Sequence, residues 1–200
     1  MIILKNNTDL YGFYCRYKNL RDAAWQTLID FKVSSLPVSL LAICTEAGIS
    51  IIENKHVNEL RQGESGVSVK QNDKWYIIIE DTEILQRQRF TIAHELAHIF
   101  LGHKMYSGYY TRRENMVKSD DETEADMFAA RLLAPACVLW GINAQTAEQI
   151  ASVCNISHEA AKIRAERMEA LRKRGKFLLS PLERQVYQQF ESYIKNNRLK

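Results

Sequence analysis

Two hundred residues, 46% hydrophobic and 26% charged, describe one globular domain, or one domain with an appendage, and argue against a disordered chain. No apolar run approaches the roughly 18 to 20 residues that span a bilayer, and Met1-Ile2-Ile3-Leu4-Lys5-Asn6 turns polar too early for a secretory signal. The net charge of +3 is uneven: residues 161–200 carry eleven Lys/Arg against four Asp/Glu, while the first 160 carry sixteen against twenty.

In chain order, residues 14–31 lack Gly and Pro, and Leu20, Ala24, Leu28 and Phe31 recur at helical spacing. Ser34-Ser35-Leu36-Pro37 signals the start of an apolar helix that runs to Ala47 and stops at Gly48. Residues 49–52 and 75–79 are β-rich runs and read as strands, with a polar, glycine-bearing stretch between them and room for a short strand near 66–70. Asp81-Thr82-Glu83 offers a cap for a long helix to Leu101, closed by Gly102. Residues 103–120 read as a loop, 122–133 as a helix ending before Pro135. Thr146-Ala147-Glu148-Gln149 is a capping box opening a helix through Cys154. Asn155 and Ile156 make a turn, Ser157 caps a second helix reaching toward Leu171, and a final helix spans 182–194. Cys15, Cys44, Cys137 and Cys154 are scattered with no Cys-x-x-Cys pair, so they read as reduced thiols of a cytoplasmic protein. The basic C-terminal portion is a solvated face or a surface for nucleic acid or an acidic partner.

Three of the five histidines fall within ten residues: His94-Glu95-Leu96-Ala97-His98 and then His103. The first five form H-E-x-x-H inside a predicted helix. Positions four apart lie about 40° apart around a helix, so His94 and His98 can face one metal ion. Glu95 is about 100° round from His94, placed to take a proton from a water on the metal. At this composition the motif arises by chance in roughly one chain in a hundred, so its helical, apolar setting carries weight.

A catalytic zinc takes three protein ligands and leaves a position for water. His103 stands five residues after His98, one short of the six in the H-E-x-x-H-x-x-G-x-x-H pattern, and is expected at the site edge or the helix end. On the next helix Glu122 and Asp126 share a face. Glu122 becomes the third ligand and Asp126 accepts an imidazole N–H from outside the metal shell. Glu124 is the rival. Glu122 lies about 60° from the centre of the apolar face and Glu124 about 100°, which favours Glu122 for a partly buried site.

His94-Glu95-x-x-His98 followed by Glu122-x-x-Ala125-x-x-Phe128-Ala129-x-x-Leu132-Leu133-x-Pro135 resembles the ImmA/IrrE family of zinc metallo-endopeptidases. The resemblance covers roughly residues 20–170, with Asp126 where the family often has Asn. It implies a gluzincin-like core, one Zn²⁺ per chain, a bacterial or phage setting and cleavage of a DNA-binding repressor that switches transcription.

The segment from Thr146 is helix-turn-helix-like, with Lys162, Arg164 and Arg167 as candidate phosphate contacts. Base-reading side chains are sparse there, so docking of a protein substrate is favoured over direct DNA binding.

The expected architecture is α+β: a mostly helical metallopeptidase core (1–140) with a small sheet, the H-E-x-x-H helix and a second ligand helix. A helix-turn-helix-like segment (141–175) and a basic link with a C-terminal helix (176–200) follow. The expected function is zinc endoproteolysis of a helix-turn-helix repressor, with no membrane partner. His94, His98 and Glu122 hold the metal and Glu95 is the base. His103, Tyr109, Tyr110 and Arg131 are candidates for the oxyanion donor or site edge, and the strand at 75–79 offers an edge for an extended substrate. The competing class is a regulatory protein- or DNA-binding module with a structural or sensing metal.

Overall fold

The computed structural model describes residues 7–103 and 120–199, with backbone alone for 7–16. Helix α1 (Asn7–Asp30) is followed by α2 (Leu40–Glu46), strand β1 (Ile49–Glu53), a 3-10 turn, and strands β2 (Gly66–Gln71) and β3 (Lys74–Ile79). Then come α3 (Leu85–Leu101), α4 (Asp120–Leu133), α5 (Ala136–Gly141), α6 (Ala147–Cys154), α7 (His158–Lys173), α8 (Pro181–Gln189) and α9 (Glu191–Asn196). This is the expected α+β architecture: a small sheet against a mostly helical body. No helix among the described residues is long and apolar enough to cross a membrane.

The sheet order is β1-β3-β2, with β1 parallel and β2 antiparallel to β3. Asn72 and Asp73 both take positive φ (50° and 59°) between the paired Gln71 and Lys74, the geometry of a tight type I′ hairpin. The strand at 75–79 is therefore central, with both edges paired, and cannot offer the free edge expected of it. Among the described residues the outer strands are β1 and β2.

Several boundaries differ from the sequence reading. Helix α2 starts after Ser39, whose hydroxyl accepts from the Ala42 N–H. Residues 35–37 bend and form no helix, as Pro37 disfavours helix at Leu36, and Leu36 and Val38 insert into the core. Helix α3 begins after Ile84 with no side-chain cap. Glu83 instead accepts from the Ser65 hydroxyl, and the Gln88 amide donates to the Asp81 and Glu83 carbonyls. Helix α5 was not expected, since six residues are too few to show a period. The final helix divides at Phe190, which is fully buried. The loop expected at 103–120 falls outside the described residues except for its two ends.

One hydrophobic cluster runs from Ala24 on α1 to Ile194 on α9 and includes Ile77, Leu96, Phe128, Leu139, Ile150 and Met168. It crosses positions 140 and 175, and Gln189 on α8 donates to the Leu28 and Val33 carbonyls at 2.7 Å each. Cys44, Cys137 and Cys154 are buried free thiols whose pKa burial pushes up to about 12, so they are packing residues without thiolate reactivity.

Helices α3 and α4 pack together. Ala93 and Ala97 on one, and Ala125 and Ala129 on the other, are fully buried. Small side chains four apart on both helices let the axes approach closely. That approach sets the distance between the two histidines and Glu122.

Candidate metal centre

Helix α3 carries its motif in the middle, where the backbone ladder is complete and the side chains are least free. Thr91 through His98 are all buried, and Leu96 and Ala97 anchor the inner face. His94 and His98, one turn apart, point their Nε2 atoms at each other with 3.0 Å between them. Glu122, in the first turn of α4, places Oε2 at 3.3 Å from His94 Nε2 and Oε1 at 3.3 Å from His98 Nε2. With metal–ligand bonds near 2.0–2.1 Å, the donors of a tetrahedral centre stand about 3.3 Å apart. One ligand atom from each of the three residues lies within 4.8 Å of the others, close enough to share one metal ion, and their chemistry, two imidazoles and a carboxylate, suits one.

The electrostatics agree. Burial alone would depress the His94 pKa, but hydrogen bonds to Asp126 and Glu122 outweigh it and raise it to about 9. Burial works against the Glu122 carboxylate too, yet its contacts with His94 and His98 hold it well below the usual range. Without a metal, His94 and Glu122 each favour the charge that complements the other.

His94 Nδ1 lies 2.8 Å from Asp126 Oδ1. The N–H at Nδ1 donates outward to the carboxylate, which leaves the Nε2 lone pair directed inward. The sequence placed Asp126 in this position from its spacing to Glu122 alone.

Glu95 lies beside the cluster, 5% exposed, and burial raises its pKa, partly offset by His94, His98 and a hydrogen bond from Ser68. The Ser68 hydroxyl on β2 donates to Glu95 Oε2 at 2.8 Å. Ser68 escaped the sequence reading, and so did Gly66. A Cβ on Gly66 would stand 2.3 Å from Thr91 Cγ2 and 3.0 Å from the Ile78 carbonyl oxygen, so only glycine lets β2 lie this close to α3. Gly66 and Ser68, two apart, share the face toward α3. The only available signal was a glycine followed by a small hydroxyl residue at strand spacing. A notch of about 30 Å³ opens beside His94 and Glu95, with Gly66, Phe90 and Thr91 in its wall, room for a water-sized molecule.

The oxyanion candidates fare differently. Tyr109 and Tyr110 lie outside the described residues. Arg131 stands nine residues beyond Glu122, about 13 Å along α4. Its guanidinium lies 4.1 Å from the Tyr17 ring centroid and donates to the Met127 carbonyl, so it braces α1 and α4 and does not face the metal cluster. His103 Nδ1 faces His98 Nδ1 at 2.9 Å, behind the ligand ring, while its Nε2 lies 3.5 Å from Glu124 Oε2. It does not face the His98 Nε2 side, where a substrate would react. Burial and the neighbouring His98 keep its pKa below the usual value.

In the C-terminal unit Arg164 donates to the Ala134 carbonyl at the end of α4, and Arg167 donates to the Tyr17 hydroxyl at 3.0 Å. Two of the three candidate phosphate contacts are thus engaged within the molecule.

A family model for peptidases, Peptidase_M78, described as the IrrE N-terminal-like domain, matches residues 44–166. No curated protein matches the chain. The matched span contains the sheet, helices α3 and α4 that carry His94, His98 and Glu122, and more than half of α7.

Proposed function

The chain belongs to the IrrE N-terminal-like family of peptidases, the family its motifs resemble, and we propose that it is a zinc-dependent endopeptidase. The observation that carries this reading is the convergence of His94 Nε2, His98 Nε2 and Glu122 on one point, with a buried carboxylate beside it. His94, His98 and Glu122 would hold the ion. When bound there, zinc lowers the pKa of a water toward about 7 and polarises the scissile carbonyl. Glu95 takes the proton from the attacking water and returns it to the departing amine. Its raised pKa suits both halves of that task, because it can hold the proton between the two steps. Ser68 restrains one Glu95 oxygen and leaves the other to act. The outer edge of β2, unpaired among the described residues and held on α3 by Gly66, is where an extended substrate would add as a further strand.

The substrate would be a protein, and the family resemblance points to a DNA-binding helix-turn-helix repressor, in the manner of a phage or mobile-element anti-repressor, acting in the cytoplasm. Engagement of Arg164 and Arg167 within the molecule supports a docking role for α6 and α7 over direct contact with DNA. Zinc content of the purified chain beside Glu122→Ala tests the site. About one zinc per chain, lost in the variant, is expected; a folded wild-type chain that refuses added zinc would overturn the proposal. Incubation of the zinc-loaded chain with DNA-binding helix-turn-helix repressors, read by mass spectrometry of the fragments, tests the substrate.

A further inference from the structure

His103 is drawn onto His98 twice. Gly102 takes the left-handed conformation (φ 67°, ψ 35°) that ends α3, and the chain folds back so that the His103 N–H donates to the His98 carbonyl at 3.1 Å. The imidazoles then meet edge-to-face, centroids 5.0 Å apart, with the two Nδ1 atoms 2.9 Å from each other. At that separation one Nδ1 bears the proton and the other accepts it. His98 Nε2 faces the His94–Glu122 cluster, so a metal on that atom requires the His98 proton to sit on Nδ1. The His98 N–H must then donate to His103 Nδ1. His103 is left with its own proton on Nε2, which faces Glu124 Oε2. This arrangement satisfies the two facing Nδ1 atoms, and it leaves His103 Nε2 within ion-pair reach of Glu124 Oε2, at 3.5 Å, without a formed hydrogen bond between them.

We infer that His103 and Glu124 form an outer relay that locks His98 in the Nδ1–H tautomer and fixes its ring for the metal, as Asp126 does for His94. Both are positioning residues, and Glu124, the losing rival for the metal, acts through His103 and not on the ion. The inference rests on the reading of His98 as a metal ligand. The five-residue spacing that disqualified His103 as a third ligand follows from the glycine turn that places it behind the second.

The test uses the full chain, stripped and reloaded with zinc. Long-range proton–nitrogen correlation spectra of the histidine side chains in the zinc-loaded wild type should show His98 protonated at Nδ1 and His103 at Nε2. Competition against a chromophoric chelator should show zinc binding weakened by about 10- to 100-fold in His103→Phe. Glu124→Gln should weaken it less, and His103→Asn, which retains an acceptor, should recover part of the loss. Glu124 is only half-buried and Gln matches its shape, so Glu124→Gln and the wild-type spectra decide the matter even if His103→Phe does not fold. A His103 protonated at Nδ1, or folded His103 and Glu124 variants that bind zinc as the wild type does, would overturn the relay while leaving the metal site intact. A wild type that takes no zinc would overturn both.

Discussion

The Ser68 hydroxyl donates to Glu95 Oε2 at 2.8 Å, tying the middle of β2 to the second residue of the H-E-x-x-H motif. A carboxylate that must accept and return a proton gains from having one oxygen held and the other free. Removing the hydroxyl in Ser68→Ala should leave zinc content unchanged and lower kcat/KM by about 10- to 100-fold, the worth of one hydrogen bond to a charged group. Steady-state cleavage of a protein substrate by the two proteins would measure it. Equal rates would mean that Glu95 is oriented without Ser68.

Glu95→Gln should keep the metal and lose cleavage. The amide occupies the same volume but cannot take a proton from water. Zinc content and proteolysis, measured on one preparation, separate the two effects. Retained cleavage would remove Glu95 from the role of base.

At Asp126 the two substitutions should part company. Asn retains an oxygen that can accept the His94 Nδ1–H, so Asp126→Asn should bind zinc close to the wild-type level. Asp126→Ala should bind it about 10- to 100-fold more weakly. Chelator competition reads the difference, and equal affinities in the two variants would deny Asp126 its hold on His94.

The metal-free protein should be pH-sensitive through His94. Burial opposes its charge, but the hydrogen bonds to Asp126 and Glu122 raise its folded pKa to about 9, above the unfolded value of about 6.5. Its contribution to stability is then complete below about pH 6.5 and disappears as pH rises through about 9. Thermal unfolding of the chelator-treated chain should show Tm falling across that window. Zinc should displace the His94 proton on binding, so its affinity should rise over the same range. A flat Tm profile would show that His94 is not held as a cation in the folded protein.

Gly66→Ala should separate β2 from α3. The new methyl would stand 2.3 Å from Thr91 Cγ2, an overlap that demands backbone movement. Overpacking of this kind costs about 1–3 kcal/mol and here also withdraws Ser68 from Glu95. The double variant Gly66→Ala with Thr91→Ala should recover part of the loss, since the Ile78 carbonyl still crowds the site. Denaturant unfolding of both variants would show it; no recovery would place the strain elsewhere.

The ligand helices were legible because a helix converts spacing into direction. Residues four apart share a face whatever surrounds them, so His94 with His98, and Glu122 with Asp126, followed from the chain alone. So did the end of α3 at Gly102 and the capping box at Thr146, which depend only on residues within one turn. The wheel angle that preferred Glu122 to Glu124 has its counterpart in Glu122 lying beside both histidines, because α4 buries one stripe, written in its alanines and leucines. What the chain could not reveal were contacts between segments whose separation is set by packing. Ser68 is 27 residues from Glu95, and nothing in either segment encodes their meeting. Gly66 matters only because a helix lies against it. The strand expected to offer an edge became the centre of the sheet because β1 and β2 both pair with it. Arg131 was near the site in sequence and turned away because Tyr17, on a helix more than a hundred residues earlier, offers its ring. Local periodicity fixes direction; distance between elements is decided only when the core closes.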